Sequence, residues 1–90
     1  MGQDAFISIT SEETNEAIEF AHIFYKDLAT GETQLNTTKI NGNAPNIAKH
    51  KSFITISFVG FEPKSDTIYP NKSYSYNLNS GDYNLEEIVV

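Results

Sequence analysis

A β-sheet fold is what this 90-residue sequence predicts, and three observations predict it. The second half alternates apolar and polar residues at the two-residue period of a strand. Clusters of Gly, Pro, Asn and Asp punctuate the alternating runs where turns are needed. Six Phe and five Tyr supply large apolar area in shapes that suit a pleated surface.

In chain order, Ala5 to Thr10 alternates as a first strand. Thr37 to Ile40 reads as another, followed by the turn Asn41-Gly42-Asn43. Ser52 to Val59 is the clearest: Phe53, Thr55, Ser57 and Val59 take one side, and Ile54, Ile56 and Phe58 the other. Gly60 and Phe61 then mark a bend after a buried strand, where no side chain fits. Asp66 to Tyr69 is a short strand ended by Pro70-Asn71-Lys72. Ser73 to Leu78 puts Tyr74, Tyr76 and Leu78 on one face; at strand spacing the tyrosines read as packing residues rather than a sugar-stacking platform. Asn79-Ser80-Gly81-Asp82 is turn chemistry, and Leu85 to Val90 is a final strand. The core centre falls on Ile23, Ile54, Ile56 and Phe58.

One stretch is ambiguous. Thr10-Ser11-Glu12-Glu13 fits a capping box, Ile18, Ala21, Tyr25 and Leu28 form a helical stripe, and Gly31 sits where a helix would stop. The competing reading is a turn over Glu12–Glu16, a strand from Phe20 to Asp27, and a hairpin turn at Thr30-Gly31. Local rules leave both open.

Composition limits the function classes. A net charge of −6 and a pI near 4.6 argue against nucleic acid and anionic membrane surfaces as partners. Without cysteine there is no disulfide framework and no thiolate metal site. No run approaches the ~20 apolar residues of a membrane helix, so direct membrane insertion by this domain is not expected. Met1-Gly2 reads as a leader, with residues 3–90 a single domain. The apolar ending Ile88-Val89-Val90 suggests a domain cut from a longer protein.

No catalytic constellation emerges, and no cofactor or metal site is expected. His22 and His50 are solitary, and Glu12, Glu13, Glu16 and Glu19 lack the ligand spacing of a calcium loop and read as a solvated acidic edge. The candidate partner-binding residues are Glu86, Glu87, Ile88, Val89 and Val90. Two carboxylates followed by three β-branched aliphatics make an extended segment suited to adding onto an exposed sheet edge.

Four blocks carry a family resemblance: Glu13 to Ile23 (ETNEAIEFAHI), Thr38 to Ala44 (TKINGNA), Ile54 to Phe61 (ITISFVGF) and Leu85 to Val90 (LEEIVV). In this order they resemble "ETGEPLPGANV", "TDINGNF", "LTISFVGY" and "LDEVVV" of the carboxypeptidase-regulatory-like domain. That domain is a transthyretin-like sandwich preceding the plug of many TonB-dependent, SusC-like outer-membrane receptors of Bacteroidetes-type bacteria. Asn15 stands for the usual turn glycine, Ala17 for the proline, and Ala44-Pro45 for the aromatic after the glycine turn.

The resemblance implies residues 20–27 as a core strand, and an all-β, seven-strand, two-sheet Greek-key sandwich of the transthyretin-like, Ig-like (prealbumin) type. It also implies a non-enzymatic module on the periplasmic side of the outer membrane, assisting or gating energy coupling. Residues Glu86 to Val90 would then serve as a TonB-box-like segment, with TonB and the receptor's own plug and barrel as partners. The alternatives are a regulatory or stabilising sandwich of another exported protein, such as a peptidase, or a carbohydrate-binding module.

Overall fold

The computed structural model describes residues 5–80, and among them the chain is all-β, with seven strands and no helix. The strands are β1 (Phe6–Ser11), β2 (His22–Asp27), β3 (Thr33–Thr37), β4 (Asn43–Pro45), β5 (Ser52–Ser57), β6 (Lys64–Ile68) and β7 (Tyr74–Leu78). They form a three-stranded sheet, β4-β1-β7, and a four-stranded sheet, β3-β2-β5-β6. All neighbours are antiparallel except β1 and β7, which run parallel from Ile7↔Tyr74 to Ser11↔Leu78.

The core follows from the alternation. Ile7 and Ile9 of β1, Ile23 and Tyr25 of β2, Ile54 and Ile56 of β5, Ile68 of β6 and Leu78 of β7 are all buried, with their strand neighbours turned outward. Short branched side chains at every second position give each sheet one apolar face, and two such faces cover each other. Burial of a side chain of this size contributes roughly 1.5–3 kcal/mol. Phe58 is not at the core centre, as the alternation suggests; β5 ends at Ser57, and Phe58 packs half-buried against the core from the following turn.

Residues 11–21 resolve against the helix. Ser11 N–H donates to Glu16 C=O (2.9 Å) and Asn15 N–H to Ser11 C=O (2.7 Å), closing a tight turn with Asn15 at φ 62°. Asparagine tolerates that left-handed conformation better than most residues, which is why it can stand at a glycine-type position. Long-range strand pairing of β2 on both edges outweighs the local helical stripe.

Strand bounds shift: the strand expected at residues 66–69 is Lys64–Ile68, that at 20–27 is His22–Asp27, and that at 52–59 is Ser52–Ser57. The strand expected at Thr37–Ile40 lies earlier, at Thr33–Thr37, and a further strand, Asn43–Pro45, follows the glycine turn. Residues 38–41 form the connection. Seven strands are thus complete within residues 6–78, whereas the sequence reaches seven by counting Leu85–Val90. That segment lies outside the described residues.

Of the three glycines at positive φ, Gly60 and Gly42 have different causes. Gly60, at φ 87°, occupies a turn closed by Phe61 N–H to Phe58 C=O (3.0 Å), and a Cβ there would meet nothing within 4 Å. Backbone conformation, not lack of room, requires that glycine. Gly42, at φ 77°, is constrained twice: an added Cβ would lie 2.8 Å from both Ala17 Cβ and Ile9 O.

Candidate functional site

The loops at one end of the sandwich enclose a cleft of about 520 Å³. Its walls are the loop between β1 and β2, residues 12–21, and the turn after β5, residues 58–61. Phe20, Phe58 and Phe61 supply the apolar surface together with the exposed Ala17 and the buried Ile18, and Glu13, Glu16 and Glu19 supply the rim. Phe58 and Phe61 lie 5.9 Å apart between ring centroids, tilted by 43°.

Local chemistry fixes this wall firmly. Ile18 and Ala21 are buried and anchor the loop to the core. Between them stands Thr38, almost wholly buried, whose hydroxyl donates to Ile18 C=O (2.6 Å) and accepts from Ala21 N–H (2.9 Å). Thr38 C=O also accepts from Phe20 N–H, and Thr38 N–H donates to Ala21 C=O, both at 3.0 Å. The clamp leaves Glu19 and Phe20 projecting from the loop. Phe20 is 62% exposed and sits at φ 69°, a conformation that an aromatic residue adopts only under constraint.

The rim is acidic, and among the described residues no cation pairs with it. Among the described residues the one ion pair is His50–Asp27, at the opposite end. Glu13 is oriented by Ser80, whose hydroxyl donates to Glu13 Oε2 at 2.9 Å. Ser80 also bridges Phe61, and Glu62 N–H donates to Asn79 C=O (2.8 Å). The chain after β7 is therefore tied to the cleft wall up to Ser80. No group of three or more His, Cys, Asp or Glu among the described residues is arranged to hold a metal ion.

At the far end His50 is not solitary. Its Nδ1 lies 2.7 Å from Asp27 Oδ2, while Asp27 Oδ1 accepts from Ala29 N–H (2.8 Å) and Thr30 N–H (3.1 Å). The His50 hydrogen bond, with the two amides adding to it, holds the Asp27 carboxyl below its ordinary range, and burial opposes the effect. Two residues separated by 23 positions meet only because β2 and β5 pair. His22 lies exposed on the outer face of its sheet.

The tyrosines pack. Tyr74 and Tyr76 stack at 6.4 Å with 7° between planes, both half-buried against the core. Tyr74 Oη accepts from Tyr69 N–H (2.8 Å), and Tyr76 Oη donates to Asp66 Oδ2 (2.7 Å). Burial, then the neighbouring Asp66 carboxylate, pushes the Tyr76 hydroxyl well above its usual pKa. Their hydroxyls are committed within the sandwich. The partner-binding candidates Glu86, Glu87, Ile88, Val89 and Val90 lie outside the described residues.

Sequence reasoning had the carboxylates of the cleft but not the cleft itself. Its two walls are about 40 positions apart, and only the positive φ of Phe20, invisible in sequence, turns that ring outward. Neither a protein-family model nor a curated protein matches this chain.

Proposed function

We propose that this chain is a non-enzymatic periplasmic module of a TonB-dependent outer-membrane nutrient receptor. In this reading residues Glu86 to Val90 offer a coupling strand to TonB, and the sandwich gives that strand a fixed base. The supporting observation is the tie at Ser80. Hydrogen bonds from Ser80 to Glu13 and from Glu62 to Asn79 hold the chain to the sandwich five residues before Leu85. A short extended segment that starts from a rigid support loses less entropy on pairing than one at the end of a long linker.

Backbone hydrogen bonds carry much of the affinity when a segment adds to a sheet edge, so a residue unable to donate one is the sharpest probe. In the full-length receptor, Val89→Pro abolishes uptake while surface level and substrate binding stay at the parent's values, and Val89→Ile is nearly silent. Uptake by the proline variant equal to that of the parent would refute the reading.

A further inference from the structure

We propose that the cleft between residues 12–21 and 58–61 is a docking site for a cationic peptide segment: a basic residue flanked by an aliphatic or aromatic anchor. The walls offer three phenylalanine rings, and the rim carries Glu13, Glu16 and Glu19 with no Lys or Arg among the lining residues. An apolar anchor fits between Phe20, Phe58 and Phe61. An arginine beside it can pair with a rim carboxylate and lie over a ring face at the same time.

Charge selects the occupant. An acidic segment, including this chain's own Asp82 to Val90, would bring like charge to the rim. A bare divalent cation is disfavoured, because no three acids converge to ligate one among the described residues. Phe20 adds an independent indication. It contributes little to the core, is 62% exposed, and is held at φ 69° by four hydrogen bonds through Thr38. A strained, exposed ring standing beside two further phenylalanines is apolar surface that an external anchor can cover.

Isotope-labelled full-length chain titrated with an acetylated, amidated hexapeptide alternating arginine and leucine tests this directly. The matching glutamate–leucine peptide serves as control. Amide shifts are expected to concentrate in residues 13–20 and 58–61, to be absent with the control peptide, and to weaken severalfold at about 0.5 M salt. Phe20→Gly relieves the backbone while removing the ring, so it should weaken binding about tenfold or more without lowering the melting temperature. Phe20→Asn, which also accepts a left-handed conformation, is the second variant should the glycine loosen the loop. Glu16→Gln with Glu19→Gln should weaken binding and remove most of its salt dependence.

The proposal is overturned by no shifts at millimolar peptide, by shifts centred elsewhere, by equal binding of the control peptide, or by undiminished binding to both Phe20 variants. Cleft shifts that follow protein concentration without peptide would instead assign the surface to a second copy. This titration needs no receptor and no TonB, so its failure is separable from failure of the uptake test.

Discussion

The two ends of the sandwich use their side chains in opposite ways. At the end reached by β2 and β6, Asp27 closes a turn and pairs with His50. Asn46 donates to both Tyr69 C=O (3.0 Å) and Lys72 C=O (2.8 Å), and the ammonium groups of Lys51 and Lys72 each lie 5.8 Å from the Tyr69 ring. Those polar groups act on the protein itself. At the end reached by β1 and β7, four glutamates fall within residues 12–19, and three of them rim an apolar cleft that no side chain fills among the described residues. Left-handed residues Asn15, Phe20, Gly42 and Gly60 also gather there. One end is built for its own stability; the other holds contact surface in reserve.

Both ends hang on one core, so the largest effect should ignore the distinction. Ile56, wholly buried at the centre of the four-stranded sheet, loses roughly 2–5 kcal/mol on truncation to alanine. By the scaling for a domain of this size, Ile56→Ala lowers the melting temperature by roughly 8–40 °C, measured by circular dichroism. A drop of only a few degrees would mean that the inner face of this sheet is misassigned.

The next comparison sets one glycine from each end side by side. Gly42→Ala meets both a left-handed backbone and two atoms at 2.8 Å, whereas Gly31→Ala, at φ 80°, meets open space. The first should cost more than about 2 kcal/mol and the second about 1 kcal/mol, read from chemical denaturation. Equal costs would erase the claim that Gly42 is held by close contact as well as by backbone, and Gly31 by backbone alone.

The smallest effect belongs to the self-satisfied end. Because the folded-state pKa of Asp27 is depressed, its contribution is fully present above about pH 4. It is lost as pH falls through the lowered folded value. Asp27→Asn should flatten the fall in melting temperature below pH 4 and leave peptide binding at the cleft unchanged. An acid limb identical to the parent's would show that the His50 pair adds nothing to stability.

Legibility in the sequence tracked how local each cause was. β5 could be read directly, because Ile54 and Ile56 alternate with Phe53 and Thr55 and burial follows that order. β2 could not be told from a helix by its own residues: Ile18, Ala21, Tyr25 and Leu28 satisfy helical spacing, and only pairing with β3 and β5 decides. β3 carries no alternation signal, since Thr33, Gln34 and Leu35 are all exposed on an edge strand. Thr38, the most consequential polar residue of the cleft wall, looks in sequence like any other threonine before a turn. Its buried hydroxyl acts on residues 17 and 20 positions away.

The parallel pairing of β1 with β7 has a mechanical consequence. The two strands enter and leave the sandwich from opposite ends, so tension applied before Ala5 and after Ser80 pulls them along their length in opposite directions. The hydrogen bonds between Ile7↔Tyr74 and Ser11↔Leu78 then bear load together, in shear, instead of opening one after another like a zipper. A sandwich wired this way transmits a pull from one end of the chain to the other before it yields.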